Sequence, residues 1–241
     1  MSGHSHYATI KRQKEAKDSA KGRIFSRHAK AIALAIKAGG SADPELNSKL
    51  RFAIEQAKAD NMPKANIERI LQRSQEMGDL EEVVYEGYGP LGVGVVVDVV
   101  TNNRNRTSQE IKNIFERAGG RLAGPGSVSY NFELKGMFTV KKKDDVEFQM
   151  LSLIDLGVED VFEAGDGIEI YVAPEQFQET RSKLLEKGFE IISSELTKRP
   201  KNYLIVENEN DAKRIMSFLD ALEEHDDVQG VYSNFDFSPQ N

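Results

Sequence analysis

The sequence predicts an α+β protein on three observations: apolar residues recur at helical spacing over about residues 22–76, the period changes to that of strands from Val83 onward, and the later elements alternate strand with helix. Its 241 residues allow one large domain or two to three small ones.

Phe25, Ala29, Ile32 and Ile36 recur at i, i+4, i+7 and i+11, and Gly39-Gly40 supplies a C-cap. Asp43 is expected to cap a second helix, with Pro44 in its first turn and Leu46, Leu50, Ala53, Ile54 and Ala57 on its inner face. That helix breaks at Asp60-Asn61, and Pro63 opens a third with Ile67, Ile70 and Leu71 inward. With a flexible N-terminal arm these make a basic helical domain over residues 1–78, followed by a linker at 78–82.

A strand at 93–101, a helix at 107–118 and a strand at 127–133 read as β-α-β. Next come a strand at 137–142, a helix at 146–156, strands at 160–163 and 168–172, a helix at 174–187 and a strand at 189–196. That order, β-α-β-β-α-β, is a complete ferredoxin-like unit. A strand at 203–206, a helix at 212–222 and a strand at 228–237 close the chain. The outer halves sum to a second such unit. The expected architecture is therefore a helical N-terminal domain followed by two ferredoxin-like α/β domains, 135–199 being inserted into 79–134 plus 200–241. Sequential α/β units of one larger sheet are the alternative. Leu151, Ile154, Leu184, Leu185, Phe218 and Leu219 are core candidates by their helical spacing.

The net charge of -7 conceals an asymmetry: residues 1–77 hold 15 Lys/Arg and 8 Asp/Glu, residues 78–241 hold 17 and 31. The balance is sharpest at the start, with Lys11, Arg12, Lys14, Lys17, Lys21, Arg23, Arg27 and Lys30 against Glu15 and Asp18. On a helix, Lys11, Lys14, Lys17 and Lys21 form one basic stripe suited to tracking phosphates. A solvated lysine-rich tail is the blander reading. The third helix adds Lys64, Asn66 and Arg69 near its start, compatible with a major-groove contact.

Other chemistry is poorly supplied. With no cysteine there is no disulfide framework, thiolate nucleophile or Cys-ligated metal centre. Four histidines, two of them His4 and His6 near the start, make a weak case for a metal site, and no cofactor is implied. Gly87 to Gly92 matches G-x-G-x-x-G, yet a strand follows the last glycine where a dinucleotide needs a helix N-terminus. The segment 135–140 faintly resembles an RNA-recognition strand, but residues 136–241 carry 11 basic against 23 acidic side chains. Arg104, Asn105, Arg106 and Thr107 are the best local candidate for a second anion site: Thr107 and Glu110 have capping-box spacing, which would place both arginines beside a positive helix end. Pairing of both with nearby acids is the equal alternative. The longest apolar run, 93–100, is too short to span a bilayer, and the start lacks a secretory stretch, so a cytoplasmic protein without membrane contact is expected. A monomer is the slightly favoured state.

Several motifs together carry a resemblance. Gly3-His4-Ser5 with Ile10-Lys11 and Lys14, the stretch 17–25, Asn61-Met62-Pro63-Lys64 with Asn66-Ile67-Glu68-Arg69, Tyr85-Glu86-Gly87-Tyr88-Gly89-Pro90, Asn103-Arg104-Asn105-Arg106-Thr107 and Pro125-Gly126-Ser127-Val128 resemble the YebC/PmpR family. That family also includes the mitochondrial translational activator of cytochrome c oxidase subunit I. The match is dense from Gly3 to about Phe132 and continues in element order. It implies a helical N-terminal domain, two α/β domains and a non-enzymatic role in gene expression. Members are described as DNA-binding transcriptional regulators, while others act at the ribosome, assisting synthesis through proline runs. The expected partner is thus nucleic acid, DNA or ribosomal or messenger RNA, held by the N-terminal domain. The rival class is an enzyme or a small-ligand sensor.

Overall fold

The computed structural model describes residues 18–73, 79–165 and 167–238, and it is α+β, with helices first and antiparallel sheets after them. The first half runs α1 (Asp18–Gly39), α2 (Ser48–Ala59), α3 (Lys64–Arg73), β1 (Glu81–Tyr88), β2 (Gly94–Thr101), α4 (Arg104–Arg117) and β3 (Arg121–Ala123). Then follow β4 (Phe132–Lys141), α5 (Val146–Ile154), β5 (Asp160–Ala164), β6 (Gly167–Val172), α6 (Phe177–Glu186) and β7 (Ile191–Pro200). β8 (Leu204–Val206), α7 (Glu209–Glu223), β9 (Val228–Ser233) and β10 (Phe235–Phe237) complete the order.

Ile32, Ala35, Leu50, Ile54, Ala57, Met62 and Ile67 form the core of the helical region, with Phe25, Ile36, Ala53, Ile70 and Leu71 against them. The apolar spacing of the sequence is thus the packing face. Gly40, just past α1, takes φ +66°, which a glycine adopts at little cost. The second helix starts later than expected. Asp43 closes a turn by accepting from the Glu45 N–H at 2.9 Å, and Leu46 is left exposed. Asn47 is the cap: its buried amide accepts from the Leu50 N–H and donates to the Ala35 and Ser41 carbonyls, tying α2 to α1. The expected linker is also partly structural, since Lys37 pairs with Asp79 at 3.0 Å and Leu80 is buried with Ala33 and Val100.

The described residues fall into two compact units, those within 18–129 and 213–233 and those within 130–212 and 234–238. The first contains the helical region and a sheet of order β3-β1-β2-β9, antiparallel throughout. β2 lies between β1 and β9, and its run of buried valines from Val95 to Val97 and at Val99 and Val100 means that both faces of the strand are covered. Phe115 of α4 meets Phe218 of α7 edge to face at 5.0 Å. The second unit contains a sheet of order β5-β6-β4-β7, again antiparallel, with α5 and α6 in the connections of a ferredoxin-like fold. Phe138, Ile170, Leu153 and Leu184 are buried in it, and Phe138 stacks on Phe177 at 4.6 Å. β8 and β10 pair in parallel as a separate two-stranded sheet.

Four local expectations are corrected. Residues 81–88 form a strand, hairpinned to β2, and it is β1 that completes the first sheet, whereas 204–206 pairs with β10. Residues 129–131 make a single 3-10 turn, after which one ten-residue strand, β4, replaces the two expected at 127–133 and 137–142. The expected strand 228–237 divides at Asn234 between two sheets. Leu184, Phe218 and Leu219 are buried, but Leu151, Ile154 and Leu185 are more than half exposed. α5 turns Gln149 and Leu153 inward instead, the Gln149 amide donating to the Lys141 carbonyl and accepting from the Lys143 N–H, both at 2.8 Å.

Candidate nucleic-acid interface

Lys11, Arg12, Lys14 and Lys17 lie outside the described residues, and Lys21 is described only as a backbone position of α1. Of the rest, Arg27, Lys30, Arg106 and Thr107 are brought together within the first unit. Arg27 donates to the Glu223 carbonyl at 2.5 Å. Lys30 reaches the Asp226 carbonyl at 2.8 Å and the Asp227 carboxylate at 2.6 Å. The second oxygen of that carboxylate accepts from Arg106 at 3.1 Å and from the Thr107 hydroxyl at 2.6 Å. Burial works to raise the Asp227 carboxyl, but the hydrogen bonds from Lys30, Thr107 and Arg106 outweigh it and hold the group well below the usual carboxylate range. The Asp227 carbonyl accepts from the Val100 N–H at 2.9 Å, and its own N–H donates to His225 Nδ1 at 3.1 Å. That places His225 Nε2 3.0 Å from Glu110. The node joins α1, β2, α4 and the turn before β9. These cations are engaged by partners within the chain, Arg106 while its side chain stays half exposed.

The expected cap at Thr107 is corrected. Asn103 caps α4, its side chain accepting from the Arg106 N–H at 3.1 Å, so Arg104, Asn105 and Arg106 form the first helical turn instead of preceding it. Thr107 is fully buried, its N–H bonded to the Asn103 carbonyl and its hydroxyl 2.9 Å from that of Thr101. Asn103 wins because the Thr101 hydroxyl accepts its N–H at 2.9 Å and sets the turn. Arg104 and Asn105 remain exposed, and Arg104 has no acid partner among the described residues.

Lys64 and Arg69 stand exposed on α3, Lys64 at 3.6 Å from Glu68 and Arg69 without an acid partner among the described residues. Arg23 is half-buried. Sequence reasoning passed over Lys49, Arg51 and Lys58 of α2, which are also exposed with no acid partner among the described residues. They fall on no single stripe, but their place outside the apolar face of Leu50, Ile54 and Ala57 was a usable signal.

Two motifs that carried the family resemblance turn out to meet. The buried Glu86 carboxylate accepts from the N–H groups of Gly126, Val128 and Ser129 at 2.7–2.8 Å. Burial alone would raise this carboxyl, and the three backbone donors outweigh it and hold it below its ordinary value. Among the described residues no group of three or more His, Asp or Glu side chains could hold a metal ion, and no helix is long and apolar enough to cross a membrane.

Residues 5–77 match the family model described as the TACO1/YebC protein N-terminal domain, and residues 80–235 match that of the TACO1/YebC second and third domain. A "Probable transcriptional regulatory protein" of Dictyoglomus thermophilum is 46% identical over 243 residues, covering 98% of this chain and 96% of its own. One of the same description from Thermotoga maritima is 46% identical over 241 residues, covering 98% and 94%. The crystal structure of a conserved hypothetical protein from Aquifex aeolicus superposes with a TM-score of 0.87 at 40% identity, covering 98% of each chain.

Proposed function

The chain belongs to the TACO1/YebC family, whose bacterial relatives are named as regulatory proteins, and from that premise we propose that it is a non-enzymatic regulator of gene expression that grips a nucleic-acid backbone through its helical region. The observation that carries this reading is the division among its cations. Arg27, Lys30 and Arg106 are spent on internal partners, while Lys49, Arg51, Lys58, Lys64 and Arg69 of α2 and α3 face solvent, only Lys64 having an acid neighbour among the described residues. Residues 18–73 hold 11 Lys/Arg against 6 Asp/Glu in a chain that is acidic as a whole. Ammonium and guanidinium groups so placed attract phosphates without reading sequence. The basic residues Lys11, Arg12, Lys14, Lys17 and Lys21 would extend the same footprint.

A second reading, docking on a ribosome, is favoured by the remainder of the chain. Residues 136–241 carry 11 basic and 23 acidic side chains, so they are repelled by a bare polyanion and attracted by the basic proteins of an RNA–protein assembly. One pair of measurements separates the readings: sedimentation of cell lysate through sucrose, and competition between a chosen and a random duplex. Co-sedimentation with ribosomes and indifference between duplexes supports docking; a preference of ~10³-fold or more for one duplex, with no co-sedimentation, supports a DNA reader. If reversing Arg51, Lys58, Lys64 and Arg69 to Glu leaves every form of binding intact, the helical interface is wrong.

A further inference from the structure

The turn that follows α4 and the 3-10 turn that follows β1 enclose a cleft of about 350 Å³, lined by Tyr88, Gly89, Gly92, Gly119, Gly120 and Arg121. Much of its wall is bare backbone by necessity. A Cβ on Gly120 would lie 2.4 Å from the Tyr88 carbonyl, and Gly119 runs at φ +81°. The Tyr88 ring is anchored by its hydroxyl, which donates to the Ser127 carbonyl at 2.8 Å, and the Arg121 guanidinium stands 5.8 Å from the ring centroid. Arg214 of α7 reaches the same edge: it donates to the Ala118 carbonyl at 3.3 Å and lies 3.1 Å from where a Cβ on Gly119 would be. Both arginines are exposed, and neither has a carboxylate partner among the described residues, although residues 78–241 hold 31 acidic against 17 basic side chains. The two guanidinium groups stand at one backbone-walled cleft, and apart from the Arg214 bond to the Ala118 carbonyl their N–H donors are left for an external anion. Leu91, between the two cleft glycines of the turn, is half exposed at φ 59°, a left-handed conformation that leucine rarely adopts, and so offers an apolar contact beside the opening.

We propose that this cleft holds one unpaired nucleotide of a single-stranded nucleic acid, its phosphate on Arg121 and Arg214 and its base against Tyr88 and Leu91. The volume is at the small end of ligand pockets, enough for one nucleotide. An anchored aromatic ring with guanidinium beside it is the arrangement by which single strands are held, because an unpaired base exposes its face and a paired one does not. The inference rests on the nucleic-acid reading for the class of polymer and sharpens it to strands that are locally unpaired.

The test uses the full chain, labelled with ¹⁵N, and two probes: a tetranucleotide of uridine, too short to need the helical region, and a 20-base-pair duplex. The tetranucleotide should shift the amide signals of Gly119, Gly120 and Arg121, and the double variant Arg121→Gln/Arg214→Gln should weaken it by about tenfold or more while keeping duplex affinity within about twofold. Tetranucleotide without effect on those amides, while the duplex binds, overturns the cleft and leaves the helical reading standing. Shifts at the cleft with no duplex binding support the cleft and sink the helical reading. A response to inorganic phosphate as large as that to the tetranucleotide overturns the nucleotide assignment, since the base would then contribute nothing.

Discussion

The two four-stranded sheets fill the same four places by different routes. In β5-β6-β4-β7 every strand comes from residues 132–200, and β4 and β7 pair along their whole length. In β3-β1-β2-β9 the place corresponding to β6 is taken by β1, which precedes its neighbour in a hairpin, and the place of β7 by β9, from the far end of the chain. The sheet β5-β6-β4-β7 closes on nearby sequence. The sheet β3-β1-β2-β9 must recruit a remote strand, and the Asp227 node sits immediately before that strand, clamped by Lys30, Arg106 and Thr107. Position in a sheet is thus set by which apolar faces meet, not by chain order, and polar fastening is concentrated where loop closure is longest.

The largest test replaces one core ring in each unit. Phe115→Ala and Phe138→Ala should each cost about 3–5 kcal/mol. Hydrogen exchange should find protection lost mainly in β1 and β2 for the first and in β4 and β6 for the second. Equal loss in both sheets from either substitution would break the comparison.

Next in size is the clamp. Asp227→Ala removes the shared carboxylate of a lysine, an arginine and a buried hydroxyl and should cost about 3 kcal/mol in urea unfolding. Because the Asp227 carboxyl is held below its unfolded value, its contribution is complete above that value, near 4, and is lost as pH falls from there toward the depressed folded one. Between about pH 5 and pH 3 the melting temperature of Asp227→Asn should therefore fall less than that of the parent chain. Parallel curves would show that the clamp is not what acid titrates.

Smaller effects should come from two strand glycines. A Cβ on Gly136 of β4 would lie 2.6 Å from the Phe177 ring and 2.8 Å from a Val172 methyl, whereas on Gly87 of β1 it would lie 2.6 Å from both the Arg121 carbonyl and the Phe115 ring. Each alanine substitution should cost about 1–3 kcal/mol, with Gly87→Ala the worse, since a backbone carbonyl yields less than a side chain. The reverse order in denaturant midpoint would mean that the side chains, not the backbone, are the stiffer neighbours. Smallest of all, Lys64→Ala should change stability by no more than about 0.5 kcal/mol, its pairing with Glu68 being exposed. It should nonetheless lower the salt slope of duplex binding by about 0.9; an unaltered slope would remove Lys64 from the interface.

The helical region was legible because its core positions keep strict spacing, and the β-α-β-β-α-β order read within 135–199 because its elements are contiguous. What could not be read was decided by distant partners. Nothing near Tyr203 says that 204–206 pairs with 235–237, nor that Glu81 to Tyr88 takes the vacated place. Leu151 and Ile154 have the spacing of core residues, yet Gln149 faces inward because two backbone groups of 141–143 await its amide. The candidate site suffered most: Arg27 and Lys30 lie in a basic run, and only the fold reveals that residues 223–227 claim them. Arg121 and Arg214, far apart in an acidic stretch, gave no local signal at all.

The clamp on Asp227 also imposes a timetable. Lys30 and its carboxylate partner are 197 residues apart, so at synthesis rates of about 5–20 residues per second the lysine leaves the ribosome roughly 10–40 s before the aspartate does. Throughout that interval Arg27, Lys30 and later Arg106 belong to an incomplete chain, and the emerging helices carry more uncompensated positive charge than the finished protein. Completion of the first unit consequently waits until residue 227 has emerged. Nascent chains cut short before residue 227 should be retained on anionic surfaces that release chains extending past the β9 strand.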